Sequence, residues 1–173
     1  MSHRRAALII AATLIAPAAA HASTVWTAVA SEKIRPDVAA RAEAKSATIA
    51  AAKNEFESFQ IVVSGPASNV SASASDLKGP GTIGGVKLFR EALLDLAHPS
   101  AADGATGRFP DPLIPDVDDV VGEKRNAFPF DVPAGESRAI WVDVHVPQEA
   151  SARDVVDGIV YELRRLRRGG LYS

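Results

Sequence analysis

Cysteine is absent from the 173-residue chain. Its absence excludes disulfides, zinc–thiolate and iron–sulfur sites and thiol nucleophiles, and leaves stability to packing. Aromatic residues are scarce at 6 %, with only two tryptophans, so each large ring stands out. No phosphate loop, dinucleotide fingerprint, H-E-x-x-H pair or G-x-S-x-G elbow occurs, which removes the common nucleotide, zincin and serine-hydrolase signatures. Neither charge sign dominates, because the formal net charge is −2. A chain so balanced has no electrostatic footprint for nucleic acid. Long apolar runs are also missing, apart from a short one at the N-terminus.

That N-terminal run reads as a signal peptide over residues 1–22. His3, Arg4 and Arg5 form a basic start, residues 6–17 an apolar stretch too short to span a bilayer, and Ala20-His21-Ala22 a small-x-small cleavage pattern. An uncleaved anchor is the alternative; a lipid anchor is excluded because no cysteine exists. The expected location is secreted or periplasmic. Removing 22 residues from 173 leaves 151, one domain with room for a core, in which 17 basic residues face 21 acidic ones.

Apolar residues alternate with period two in several runs, the pattern of strands with one buried face. In residues 25–30, Val25, Thr27 and Val29 oppose Trp26, Ala28 and Ala30. Further on, Phe59, Ile61 and Val63 oppose Ser58, Gln60 and Val62, and residues 70–76 alternate Val/Ala with Ser. One or two strands are expected around Val86, Leu88 and Leu94. The clearest run sets Ile140, Val142, Val144 and Val146 toward a core and Trp141, Asp143 and His145 outward. Gly- and Pro-containing turns separate these runs. The pattern predicts an all-β antiparallel β-sandwich of immunoglobulin-like type over residues 23–150. Residues 37–53 have helical propensity. Residues 99–133 read as a long loop rich in Pro, Gly and Asp.

Each polar cluster has a structural reading beside a chemical one. Glu55 and Glu57 share a strand face, a spacing open to acid/base chemistry, but such carboxylates more often fix the start of a strand or bond a neighbouring loop. Asp111, Asp116, Asp118, Asp119 and Glu123 offer calcium-type oxygen ligands without EF-hand spacing. The preferred reading of this region is a stiff docking loop: Pro110, Pro112 and Pro115 fix the backbone, and Phe109, Asp111, Leu113, Ile114 and Asp116 meet a second domain. Asp143 and His145 could belong to a triad, and Trp141 or Trp26 could stack on a sugar ring. Packing accounts for these residues as well. No catalytic residue, metal ligand or cofactor is assigned. Asn69-Val70-Ser71 matches a glycosylation sequon.

Four segments in order, AKNEFESFQ, GRFPDPLIP, NAFPFDVPAG and WVDVHVP, are similar to the N-terminal β-sandwich of secreted bacterial proteins related to glycoside hydrolase family 123. The resemblance covers roughly residues 25–150. It implies a strand at residues 46–52 leading into KNEFESFQ, a motif structural rather than catalytic in that family. It also implies a catalytic barrel as partner and N-acetylhexosamine-containing glycans as substrate class. The family's substrate-assisted mechanism uses an Asp–Glu pair in the barrel, and no residue here matches it.

After VPQEAS the family continues with Pro-Gly-x-Tyr and another strand. Here Val155, Val156, Ile159, Leu163 and Leu166 fall at helical spacing against Arg164, Arg165, Arg167 and Arg168. If Ala152-Arg153-Asp154 is written in suitable codons, a one-base shift reads Pro-Gly-Thr. The expectation is therefore a truncated or frameshifted product: residues 151–173 as an aberrant basic tail, and the barrel lost. Such a chain would be an accessory domain and no enzyme. The alternatives are a stand-alone carbohydrate-binding module and a membrane-surface protein using the basic tail, although a membrane partner is the weakest of these.

Overall fold

The computed structural model describes residues 23–44, 46–79 and 81–150. The anticipated signal peptide and basic tail lie outside them. Nine strands and no helix occur among the described residues. They are β1 (Thr24–Val29), β2 (Glu55–Ser64), β3 (Ala67–Val70), β4 (Leu77–Lys78), β5 (Thr82–Ile83), β6 (Lys87–Leu96), β7 (Gly107–Pro115), β8 (Phe130–Val132) and β9 (Ser137–Val146). A five-stranded sheet runs in the order β1-β2-β9-β6-β7, and β3–β8 and β4–β5 form two-stranded pieces. All pairings are antiparallel. The protein is thus an all-β, sandwich-like domain whose second layer consists of short strand pieces.

The centre of the sheet is the pair β2–β9, in register over ten residues from Glu55–Val146 to Ser64–Ser137. Both strands are rich in β-branched residues, which suit the pleated surface. Phe59, Ile61 and Val63 of β2 join Ile140, Val142 and Val144 of β9 on one face. Val70, Leu77, Ile83 and Val132 of the short pieces cover them, closing the main core. Val146, expected in the same row, is half-buried at its margin. Gly65 marks the tight exit from β2, where a Cβ would lie 2.2 Å from the Pro133 carbonyl oxygen.

The opposite face of the sheet is covered over part of its area, by the irregular segment 30–44, here called the strap. Trp26, Ala28, Val62 and Ala139 of the sheet pack with Ile34, and Val38 and Ala44 lie against them. Polar bonds hold the strap down. The Gln60 amide donates to the carbonyls of Val29 (2.9 Å) and Glu32 (2.7 Å). Ser137 donates its N–H to the Pro36 carbonyl (2.9 Å) and its hydroxyl to that of Val38 (3.0 Å). Arg41 lies 4.3 Å over the Trp26 ring and pairs with Glu32.

Four expectations are corrected. Residues 107–115 are a strand, paired with β6 at the edge of the sheet, and the long loop is shortened accordingly. Prolines are tolerated there because an edge strand need not use all its donors, and they make that edge a poor template for another strand. Residues 71–76, which alternate in sequence, have no strand assignment; β3 ends at Val70. Residues 46–52 form neither strand nor helix. They follow the β1 edge, where Thr27 donates to the Ser46 carbonyl (3.0 Å) and Ala44 N–H to that of Val25 (3.0 Å). Val62 and Gln60 are buried as fully as Ile61, because the strap covers their side.

Candidate functional site

Beyond the strap, the second face stays open, and the register sets its side chains in rows. Phe56 of β2 stands opposite His145 of β9, with the rings stacked at 4.6 Å. In the next row Ser58 faces Asp143, which faces Lys87 of β6. Then come Gln60, Trp141, Phe89 and Pro115, across β2, β9, β6 and β7. A polar row therefore lies between two aromatic ones. Asp143 accepts the Ser58 hydroxyl at 2.6 Å and the Trp141 indole N–H on the same oxygen, so the carboxylate fixes the orientation of the indole.

This wiring does not make a triad. Ser58 bonds the carboxylate directly, and His145 meets Phe56 and, at 3.4 Å, the Asn54 side-chain oxygen. A serine nucleophile needs the imidazole as its base, with the carboxylate behind it. Glu55 accepts the Ala52 N–H at the turn into β2, where Asn54 takes a left-handed φ of 59°. That is the structural role weighed for it above. Trp26 is corrected as a sugar contact: it is 1 % exposed, covered by the strap, with its indole N–H on Ser64 (3.1 Å). Trp141 is half-buried at the open face.

The residues read as a docking loop lie on β7 and just beyond. Phe109 sits under Arg35 at 4.4 Å, and Asp111 pairs with Lys33 at 3.3 Å, so both serve the strap. Ile114 is half-buried, while Leu113 and Asp116 are exposed. Residues 116–125 then form a small hairpin closed by the Val117–Lys124 bridge. Asp118 caps it, accepting the N–H groups of Val120 (2.9 Å) and Val121 (3.2 Å) and the Arg125 guanidinium (3.1 Å). Those backbone bonds, then the arginine, hold its carboxyl below the usual value. Asp119 pairs with Lys87 and Glu123 with Arg125. Asp111, Asp118, Asp119 and Glu123 are thus spent on basic partners, and no cluster suited to a metal ion occurs among the described residues.

Four of the seven large apolar side chains exposed among the described residues fall in this one stretch: Leu113 (40 %), Val117 (49 %), Val120 (91 %) and Val121 (60 %). The docking surface expected from sequence, Phe109, Asp111, Leu113, Ile114 and Asp116, overlaps this stretch at Leu113 and does not include the valines. The signal was present in Val117, Val120 and Val121, apolar residues spaced through an Asp-rich turn. Beside the hairpin, a groove of about 480 Å³ opens into the sandwich between Ser71, Ala72, Val86, Leu88, Lys124 and Phe128. No protein-family model matches the chain, and no curated protein matches it.

Proposed function

We propose that this chain is a non-catalytic, accessory β-sandwich of a secreted protein related to glycoside hydrolase family 123, and that it carries a second domain on the β7 edge and the 116–125 hairpin. The observation behind the docking surface is the run of exposed Leu113, Val117, Val120 and Val121, since apolar side chains clustered on a surface mark interaction sites. The hairpin presenting them is braced by Asp118 and Arg125, so little order has to be gained on docking. Family and partner follow from the four-segment resemblance. The catalytic partner is the family's barrel, and N-acetylhexosamine-containing glycans are its substrate class.

Sequencing the locus past residue 173 in all frames tests the family; barrel-coding sequence supports it and its absence overturns it. Co-expression of that barrel tests the surface. The native sandwich should co-purify with the barrel, and the Val120→Asp, Val121→Asp double variant should not. Retention of the double variant would refute this docking face. The sandwich alone should not hydrolyse aryl N-acetylhexosaminides; turnover lost in Glu55→Gln or Glu57→Gln would overturn the non-catalytic reading.

The open aromatic face favours a second reading, glycan binding. Trp141 and exposed Phe56 offer ring faces beside the hydrogen-bonding groups Ser58, Asp143 and Asn54. Titration with N-acetylhexosamine oligosaccharides should then perturb tryptophan fluorescence in the native chain and not in Trp141→Ala. A membrane role would rest on the basic tail, outside the described residues.

A further inference from the structure

Glu91 of β6, 6 % exposed, and Asp143 of β9 lie on the face of the sheet that carries Trp141, and neither forms an ion pair among the described residues. Glu91 is enclosed, whereas Asp143 is half-buried. The Oδ1 of Asp143 is used twice, by the Ser58 hydroxyl at 2.6 Å and by the Trp141 indole N–H. Its Oδ2 takes no hydrogen bond among the described residues and is not shut off from solvent. A cation stands within reach and is used elsewhere: Lys87 of β6 is directly opposite Asp143, yet its ammonium bonds Asp119 of the hairpin. The row holds only Ser58 besides, and Glu55 and Glu57 alternate onto the other face. The carboxylate therefore keeps an uncompensated charge. Ring faces flank it along the strands, Phe56 stacked on His145 on one side and Trp141 beside Phe89 on the other. These rows are four residues apart, roughly 13 Å at the rise of a strand, with the carboxylate midway.

We propose that this face binds a glycan carrying unacetylated hexosamine, with the ammonium of one sugar on Asp143 Oδ2 and the C–H faces of its neighbours on Trp141 and Phe56. The proposal rests on the reading of the open face as glycan-binding and names the unit selected there. A carboxylate oxygen only accepts, so Oδ2 calls for a donor. A cationic donor gains most, because its bond is charge-assisted and the ring faces nearby attract positive charge. An N-acetylated unit brings a neutral amide N–H to the same oxygen and has an acetyl group to seat as well. A lone lysine ammonium would satisfy Asp143 and leave the two separated rings uncovered. Charge complementarity thus selects the amino sugar, and the ring spacing selects an oligomer.

Calorimetric titration of the full chain at low salt and pH 5.5, where the sugar amine is protonated, tests this with a glucosamine hexamer, its N-acetylated counterpart and hexalysine. The glucosamine hexamer should bind about tenfold more tightly than the acetylated one, and added salt should narrow the gap. Asp143→Asn keeps an acceptor for Ser58 and Trp141, so the two hexamers should then bind alike. Asp119→Asn should also shrink the preference, because it frees Lys87 to reach Asp143 across the strands; Lys87→Met should not. Equal affinities in the native chain, or a preference that survives Asp143→Asn, would overturn the amine assignment and leave the glycan reading standing. Binding of neither hexamer would overturn both. Tighter binding of hexalysine than of the glucosamine hexamer would show an ammonium site without sugar selection and would overturn the proposal too. If Asp143→Asn fails to fold, Asp119→Asn decides, and an undiminished preference counts against the proposal.

Discussion

The two faces of the five-stranded sheet are buried by different means. One is closed by apolar side chains of the short strand pieces meeting Ile61, Ile140 and Val142. The other is covered by a strap tied down at Gln60, Ser137 and the β7 edge, and only over part of its area. The first closure is hydrophobic and non-directional. The second depends on particular donors and acceptors, and each of those is a place where the covering can be released. The contrast locates candidate function on the second face and its margin.

The comparison breaks if the strapped half is only loosely packed. Trp26 decides this. It is buried beneath the strap, under Arg41 and bonded to Ser64. Trp26→Ala should therefore cost about 3–5 kcal/mol, as for any buried large side chain. Ile140→Ala, on the first face, should cost about 2–5 kcal/mol. Urea denaturation of both variants gives the two values. A Trp26→Ala cost far below that of Ile140→Ala would mean that the strap does not make a second core.

Period two made the first face legible. Ile140, Val142 and Val144 are buried as their alternation requires, and Phe59, Ile61 and Val63 lie with them. The second face was not legible, because the strap has no periodicity and its ties come from Gln60 and Ser137, polar residues that period two assigns to solvent. Hence Trp26 read as a possible sugar contact. Strand β7 was missed for a related reason. Three prolines in nine residues argue for a loop, yet at the edge of a sheet the lost donors have little to pair with. Of the candidate surface, Trp141, Leu113 and Asp116 were named from sequence. Glu91 was not, although a carboxylate in phase with Phe89 and Leu93 in an apolar strand is a readable sign of burial.

The difference between the faces sharpens under titration. The Glu91 carboxyl is raised by burial to about 7 in the folded chain. A raised value means that the folded state holds its proton more tightly than the unfolded chain does. Its contribution to stability is fully present below pH 4.5 and is lost as pH rises toward 7. The loss amounts to as much as about 1.4 kcal/mol per pH unit across that window. Thermal melts of native chain and Glu91→Gln, compared from pH 4.5 to 8, should diverge in favour of the variant. Parallel curves would show that Glu91 titrates alike in both states.

The smallest effect separates apolar residues that build the fold from those that face outward. Val142 and Val120 are the same amino acid in opposite settings, 1 % and 91 % exposed. Removing Val142 from the core leaves a cavity. Val120 gives up no buried area, and its backbone N–H keeps its bond to Asp118 whatever the side chain. Val120→Ser and Val121→Ser should thus change unfolding free energy by no more than about 0.5 kcal/mol each. On the proposed docking surface their effect would instead fall on docking, where covering both side chains would recover apolar area that the isolated domain leaves in water. A larger loss on denaturation would show that the hairpin tip already packs against its own domain, and the docking surface would have to be sought on the aromatic face instead.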